Sequence, residues 1–251
     1  MPRHDFRTPR LYVDSPLRQG ETVTLDAGQA NHLIKVLRLK AGEPVLIFNG
    51  REGEWRALLT QTGKRTSALS LVSRTREQGA AFDLHYLFAP LKHARLDYMT
   101  QKAVEMGASR LQPVITQYTQ VSRVNLARIR ANAIEAAQQC GVLTLPEIAA
   151  PLTLERMIAE RGPDRLLVFC DEQADVTDPV AALAALRAGR EQTTPIAVLI
   201  GPEGGFAPEE RQLLAALPNT VRLCLGPRIL RADTAAVAAL ALVGAVLGDW
   251  R

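Results

Sequence analysis

The sequence predicts an α/β protein built from two modules, a small N-terminal β-barrel and a C-terminal parallel sheet covered by helices. Short apolar runs joined by turn-rich segments fill the first third of the chain. From about Phe82 onward, apolar strands alternate with amphipathic helices, which is typical of βα units. These later strands are apolar on both faces, as in a sheet packed on both sides. The polar stretch at residues 74–82 predicts domains 1–73 and 74–251.

The first module carries three predicted strands, "GEPVLIFNG", "GEWRALLTQ" and "TSALSLVSR", and their close spacing favours a barrel. Before them, "DAGQANHLIKVLRLKAGE" predicts a short helix with Leu33, Ile34 and Leu37 on its packed side. Lys35 and Arg38 point elsewhere. They fit phosphate contacts and fit a solvated helix face equally well.

The second module alternates regularly between strand and helix. Its predicted strands are "DLHYLFAPL", "RLQPVITQY", "DRLLVFCDE", "PIAVLIG" and "TVRLCLG". Predicted helices are "RLDYMTQKAVEMGA", "NLARIRANAIEAAQQCG", a segment after Pro179, one from Pro208 to about Leu217, and a last helix near the C-terminus. Gly107 and Gly141 end the first two helices. The apolar residues 235–248 are too few to span a membrane and predict a core helix.

Charge is distributed unevenly along the chain. The formal net charge of +4 divides into +6 for residues 1–76 and −2 for the remainder. This asymmetry favours a nucleic-acid-binding first module, with a solvated basic surface as the alternative.

The three cysteines are far apart and form no CxxC pair, and no signal-peptide pattern is present. We therefore expect a cytoplasmic protein without a structural zinc site.

Two bends follow consecutive strands of the second module, "IGPEGGF" at residues 200–206 and "LGPRILRADTA" at residues 225–235. Ligands of α/β sheets bind beyond the carboxyl ends of the strands. Gly204 and Gly205 allow the backbone to approach a ligand, and Ile229 and Leu230 suit an adenine ring. Each bend alone equally fits a tight strand-to-helix turn. Their occurrence in consecutive βα units favours a binding site.

Several ligand classes are excluded by missing motifs. The chain has no GxxxxGK[ST], no GxGxxG and no GxSxG, and its four histidines lack metal-ligand spacing. The sequence therefore predicts no metal and a small ligand held by backbone groups and apolar contacts.

At these residues the chain resembles a bacterial family of the SPOUT class of methyltransferases, which methylates N3 of a uridine in 16S (small-subunit) ribosomal RNA. The resemblance rests on the two bends together with "PRLYV", "HLIKVLRLKAGE", "LKHARLDYMTQKAVEMGASRLQPV" and "AIEAAQQCG". It implies a PUA-like RNA-binding barrel, a SPOUT domain with a C-terminal trefoil knot, S-adenosylmethionine as cofactor and a homodimer. In the cofactor site it implies Leu199, Ile200, Gly201, Pro202, Glu203, Gly204, Gly205, Leu225, Gly226, Ile229, Leu230, Thr234 and Ala235.

The chemistry predicts roles for a few charged residues. Uracil N3 keeps its proton at neutral pH, so Arg231 is the candidate for stabilising negative charge on the uracil carbonyl oxygens. Asp233 or Glu203 is the candidate proton acceptor, given a raised pKa in a dry pocket. An Arg231–Asp233 ion pair that only shapes the loop, and a turn or cap role for Glu203, are the competing interpretations. Candidate RNA phosphate contacts are Arg7, Arg10, Lys35, Arg38, Lys92 and Arg123.

Two positions depart from the family pattern. Asp233 stands where the family usually has Glu, and Val142 stands where it often has Arg. Two other functions also stay open: a SPOUT methyltransferase acting on another RNA position, and a non-catalytic RNA-binding assembly factor. A nicotinamide oxidoreductase is disfavoured because GxGxxG is missing.

Overall fold

The chain divides into two compact units. The computed structural model describes Asp5 and residues 7–61, 67–121, 123–175, 178–187 and 194–250. The first unit comprises residues 1–80 and 137–145, and the second comprises residues 81–136 and 146–251. The domain boundary between residues 73 and 74 stays a prediction.

The first unit is built on a five-stranded sheet in the order β1-β3-β4-β5-β2. β1 runs parallel to β3, and the other pairs are antiparallel. The strands are β1 Arg10–Tyr12, β2 Thr22–Thr24, β3 Pro44–Phe48, β4 Glu54–Gln61 and β5 Ser67–Arg76. The three predicted strands are confirmed. β1 and β2 were not predicted because three residues are too few to display a pattern.

The predicted short helix of this unit is present in modified form. Helix α1, Ala27–Asn31, begins at Asp26, whose Oδ1 accepts a hydrogen bond from Gln29 N at 2.8 Å, and continues as a π-helical segment over His32–Val36. Leu33 is fully buried, but Leu37 is 40% exposed. The prediction that Leu37 packs with Leu33 is wrong, because the wider π-helical turn rotates it off the packed face.

The second unit contains a parallel sheet in the order β12-β10-β11-β6-β7-β8, with β9 also paired to β7. Its strands are β6 Leu84–Phe88, β7 Arg110–Ile115, β8 Glu147–Ile148, β9 Leu152–Thr153, β10 Leu166–Cys170, β11 Ile196–Ile200 and β12 Thr220–Leu223. The predicted α/β class is confirmed.

Among the described residues, five helices lie between these strands and a sixth follows β12. They are α2 His93–Glu105, α3 Leu126–Cys140, α4 Leu154–Glu160, α5 Pro179–Arg187, α6 Pro208–Ala215 and α7 Ala232–Val246. Gly107 and Gly141 follow α2 and α3 with φ of +84° and +65°, which confirms their predicted role. Helix α4 was not predicted because two turns carry too little periodicity.

Apolar clusters cover both faces of the parallel sheet. Alternate residues of each strand point to opposite sides, so Tyr86 belongs to the apolar cluster that contains Leu240 of α7, and Leu87 belongs to the cluster that contains Leu154 of α4 and Leu214 of α6. This confirms that both faces are buried and that α7 is a core helix. Within the described residues, no helix combines the length and the apolarity needed to cross a membrane. The trefoil knot stays a prediction.

Candidate functional site

The two bends singled out in the sequence lie side by side at one edge of the parallel sheet. β10 pairs in parallel with both β11 and β12, so the three carboxyl ends are neighbours. A cavity of about 440 Å³ opens between the bend after β11 and the bend after β12. Its lining consists of Cys170–Glu172, Ile200–Phe206, Leu223–Ala232 and Ala235.

The first bend has a shape that requires glycine. Gly205 has φ of +70° and donates its N–H to Pro202 O at 2.9 Å. A Cβ on Gly205 would lie 2.9 Å from Glu172 Oε1, and one on Gly201 would lie 2.6 Å from the Phe206 ring. Because a side chain would be strained at Gly205 and would meet the buried Phe206 ring at Gly201, the backbone itself borders the cavity at both positions.

The second bend also contains a left-handed residue, since Gly226 has φ of +106°. Gly226 O accepts a hydrogen bond from Cys224 Sγ at 3.3 Å. Leu230 is half-buried, whereas Ile229 is 97% exposed. In this structure the two residues therefore do not form a closed apolar sandwich, and an adenine contact for Ile229 stays a prediction.

Eleven of the thirteen predicted cofactor residues line the cavity, and two do not. Leu199 is fully buried and packs on the opposite face of the sheet with Phe169 and Leu87. Thr234 is exposed on the first turn of α7. The alternation of a strand explains Leu199, because its neighbour Ile200 points to the other side.

An acidic corner of the cavity was not predicted. Asp171 follows β10, and its fully buried carboxylate contacts Arg222 at 2.7 Å and Arg211 at 3.2 Å. Arg211 also pairs with Glu172, which borders Gly205. The segment "FCDE" signals this corner, since an acidic pair ends an apolar strand. The sequence does not reveal that β10 lies between β11 and β12.

The thiol of Cys170 borders the same cavity. Burial and the neighbouring Asp171 carboxylate raise the pKa of Cys170 to about 12. The thiol therefore stays protonated at neutral pH and contributes a small apolar surface.

The three candidate catalytic residues occupy different settings. Arg231 is exposed on the cavity wall, at the residue preceding α7, and among the described residues it has no ion pair with Asp233. Asp233 Oδ1 instead accepts a hydrogen bond from Thr234 N at 2.9 Å. Glu203 is half-exposed and lies 3.3 Å from Arg95 Nη1. The roles of all three stay predictions.

Five of the six candidate RNA contacts are exposed, namely Arg7, Lys35, Arg38, Lys92 and Arg123. Arg10 is different, because its side chain is only 5% exposed and its Nε donates to Glu54 Oε2 at 2.7 Å. Its Nη2 donates to Asp5 O at 2.7 Å. We correct the expectation for Arg10, since a buried and paired guanidinium cannot reach a phosphate and instead stabilises the first unit.

Comparisons with known proteins agree with both units. Residues 78–244 match the family model described as "RNA methyltransferase domain", and residues 25–72 match that of the "RNA methyltransferase PUA domain". A Rickettsia conorii protein named ribosomal RNA small subunit methyltransferase E is 30% identical over 93% of this chain and 94% of its own length. A Synechocystis protein of the same name is 32% identical over 90% of this chain and 74% of its own length.

Solved structures extend the similarity to the fold. Ribosomal RNA small subunit methyltransferase E from Neisseria gonorrhoeae, solved with S-adenosylmethionine, has a TM-score of 0.85 and 25% identity, with 98% of this chain and 100% of that chain covered. A Legionella pneumophila protein solved with the same cofactor has a TM-score of 0.80 and 28% identity, with 97% and 99% covered. The predicted N-terminal PUA-like domain and SPOUT-type α/β domain are thereby confirmed.

Proposed function

The chain belongs to the RNA methyltransferase family, and on that premise we propose that it transfers a methyl group from S-adenosylmethionine to N3 of a uridine in small-subunit (16S) ribosomal RNA. The observation that carries the proposal is the pair of glycine bends facing one cavity, with Arg231 on its wall. The relatives' names and the cofactor in the related structures support the substrate class and the methyl donor.

The residues present fit the proposed cofactor. A cavity of about 440 Å³ is within the range of about 300–1,000 Å³ that is usual for small-molecule sites. The glycine positions leave backbone groups open to a ligand, and a Cβ at Gly205 would already collide with Glu172. Residues that we expect to hold the cofactor are Ile200–Gly205, Leu225, Gly226, Leu230 and Ala235.

The protein's own task in the reaction is alignment and charge stabilisation. When bound, S-adenosylmethionine would supply the methyl group that its sulfonium sulfur carries. The remaining product would be S-adenosylhomocysteine. Arg231 stabilises the negative charge that develops on the uracil oxygens, because its exposed guanidinium has no carboxylate partner among the described residues. The first turn of α7 adds positive potential at the same place.

The N3 proton requires an acceptor. Asp233, in the first turn of α7, is preferred over Glu203, since Arg95 already engages the Glu203 carboxylate. N3 lies on the Watson–Crick edge of uracil, so the target nucleotide has to be unpaired or flipped out.

RNA binding is assigned to exposed cations of both units. Arg7, Lys35 and Arg38 belong to the first unit, and Lys92 and Arg123 to the second. Their contacts to phosphates are expected to weaken as salt rises. We further propose that the active form is a homodimer, and that the chain divides into a PUA-like RNA-binding domain, residues 1–73, and a SPOUT methyltransferase domain, residues 74–251, to which Lys92 and Arg123 add RNA contacts.

The test is methyl transfer by purified protein to small ribosomal subunits and to naked 16S RNA, both isolated from a strain that lacks the gene. We expect tritiated methyl groups in 3-methyluridine, identified by mass spectrometry of digested RNA. Label in a different nucleoside would support a methyltransferase of other specificity. Cofactor binding without transfer to either RNA would support the assembly-factor alternative and contradict the proposal.

Gly204→Val supplies the matched loss-of-function variant. Valine at this position would meet the Tyr118 side chain, since even a Cβ would lie 3.4 Å from Tyr118 Cβ, and it would obstruct the bend. We expect calorimetry to show no cofactor binding by this variant and no transfer. Retained binding would remove the bend from the cofactor site.

A further inference from the structure

We propose that Tyr118 provides the surface on which the target base stacks after it leaves the RNA helix. This inference rests on the proposed function and adds a substrate-positioning residue to it. It is carried by the position of Tyr118 beside the first glycine bend, by the hydrogen bonds that fix it there, and by the exposure of its ring.

The RNA has to approach the same edge of the sheet as the cofactor. The cavity takes up the carboxyl ends of β10, β11 and β12, and the edge continues to β6, which pairs with β11, and then to β7. The chain leaving β6 carries Lys92, and the chain leaving β7 carries Tyr118 and Arg123. All three side chains are exposed, so this stretch presents one aromatic ring together with two cations.

The Tyr118 side chain lies directly against the glycine bend. A Cβ on Gly204 would be 3.4 Å from Tyr118 Cβ and 3.8 Å from Tyr118 Cγ and Cδ2. The tyrosine side chain therefore lies within van der Waals reach of the cofactor loop. A base stacked on this ring would be held next to the bend that we assign to the methyl donor.

Glu210 joins the turn that carries Tyr118 to the end of the glycine bend. Its Oε1 accepts from Gln117 N at 2.8 Å, and its Oε2 accepts from Ala207 N at 2.9 Å. The turn is closed internally by Thr119, whose N–H donates to Thr116 O at 3.1 Å. One carboxylate thus holds both loops in a fixed relation, as a stacking surface for a reacting base requires.

Exposure distinguishes Tyr118 from the other aromatic side chains. Among the described residues, three aromatic side chains are exposed: Tyr98 at 46%, Tyr118 at 43% and Trp250 at 47%. Lys102 Nζ lies over the Tyr98 ring at 5.5 Å from its centroid, and the Trp250 ring packs where a Cβ on Gly244 would lie only 3.1 Å away. Tyr118 is the exposed aromatic residue that adjoins the candidate site.

The way in which proteins bind extruded bases indicates a role for the Tyr118 ring. Bases that are extruded from RNA are commonly stacked on aromatic side chains, while cations bind the neighbouring phosphates. Lys92 and Arg123 border the same small cavity of about 100 Å³, so they present two positive charges close together. Stacking on Tyr118 engages only the face of the uracil base. The Watson–Crick edge of the base, and therefore N3, stays free to react.

Four variants test the proposal: Tyr118→Ala, Tyr118→Phe, Tyr118→Leu and, as the matched exposed tyrosine, Tyr98→Ala. We expect Tyr118→Ala to lower kcat/KM for RNA by about 5- to 150-fold, the range of stacking losses on alanine substitution. Phenylalanine should retain activity within about two-fold. Leucine fills similar space without a π-face and should resemble alanine. Thermal unfolding and calorimetry with S-adenosylmethionine should be unchanged in all four.

A second readout does not depend on turnover. RNA transcribed with 5-bromouridine, irradiated in complex with the protein and S-adenosylhomocysteine, should yield a crosslinked peptide that contains Tyr118. Full activity of Tyr118→Ala, or of Tyr118→Leu, would overturn the stacking role, as would crosslinks confined to other peptides. If the wild-type protein transfers no methyl group to RNA, the proposed function itself fails and this inference fails with it.

Discussion

Two cavities of about 440 Å³ lie at opposite edges of the same parallel sheet, and they differ in what lines them. The cavity at the carboxyl edge is bordered by two bends in which backbone atoms are exposed by glycine. The cavity at the amino edge is bordered by charged side chains near the starts of β6, β7, β10 and β11. Equal volume therefore does not indicate equal function.

Most charged groups of the amino-edge cavity already have partners. Arg165 binds both oxygens of Asp83, at 2.9 and 3.0 Å, and Arg110 lies 3.0 Å from Glu147. Arg161 donates to three backbone carbonyl oxygens. Burial alone would raise the pKa of Asp83, but the hydrogen bonds and charge of Arg165 outweigh it and lower the pKa. The amino-edge cavity is thus lined mainly by paired charges, whereas the carboxyl-edge cavity is lined by the two glycine bends and by Arg231.

The largest expected difference between the two edges concerns buried charge. Asp171→Ala removes the fully buried carboxylate that Arg211 and Arg222 share, and we expect a loss of about 1–3 kcal/mol in the free energy of unfolding, because Arg211 keeps Glu172 as a partner. Asp83→Ala, at the amino edge, removes a carboxylate that is 47% exposed and should cost about 0–1 kcal/mol. Urea titrations compare the two variants. Equal losses would contradict the distinction.

Substituting alanine for one glycine in each cavity tests which of the two cavities binds the cofactor. In Gly205→Ala the Cβ meets Glu172 Oε1 at 2.9 Å, and a left-handed φ costs alanine about 1–2 kcal/mol. We expect S-adenosylmethionine affinity to fall by about ten-fold or more. Gly162→Ala adds its Cβ to open space at the amino-edge cavity and should leave affinity within about two-fold. Calorimetry with S-adenosylmethionine measures both affinities. A comparable loss of affinity in Gly162→Ala would place the cofactor site at the amino-edge cavity.

Cations at the two edges should differ in RNA binding. Lys92→Ala, at the carboxyl edge, should reduce the salt dependence of RNA binding by about one phosphate contact and weaken affinity by a few-fold. Arg156→Ala removes a cation next to the amino-edge cavity, paired with Glu160 at 2.8 Å, and should change neither quantity. Filter-binding titrations across a salt series measure both. The reverse order would place RNA at the amino edge.

The smallest expected effect concerns His85, which changes the free energy of unfolding only at acidic pH. Burial and the positive charges of Arg165 and Arg110 lower the pKa of His85 to about 4, from an ordinary value of 6.5, although Asp83 acts in the opposite sense. The unfolded chain then takes up a proton before the folded one, so the stability contributed by neutral His85 is complete above pH 6.5 and is lost as the pH falls towards 4.

His85→Gln should therefore flatten the decline of the free energy of unfolding between pH 6.5 and 4, without altering cofactor affinity at pH 7.5. Denaturant titrations at several pH values provide the comparison. If the free energy of unfolding declined with pH as steeply in His85→Gln as in the wild type, His85 would not be the group responsible for that decline. A loss of cofactor binding would contradict the separation of the two cavities.

The sequence predicted the carboxyl-edge site far better than its surroundings. Local glycine and proline patterns identify bends at residues 200–206 and 225–235, and strand order in the chain predicts that they share an edge. Asp171 and Tyr118 enter the site through pairing of β10 with β12 and through the Glu210 bridge, contacts between distant segments that no local pattern encodes. Arg10 was misjudged for the same reason, because its partner Glu54 lies 44 residues away.

The central claim is that the bends after β11 and β12 together hold the methyl donor. A crystal structure of the protein with S-adenosylmethionine tests it most directly. We predict the adenosyl group between Ile200–Gly205 and Leu225–Leu230, with the sulfonium facing the side of Arg231 and Tyr118. A donor bound in the amino-edge cavity, or bends that lie apart around it, would contradict the account.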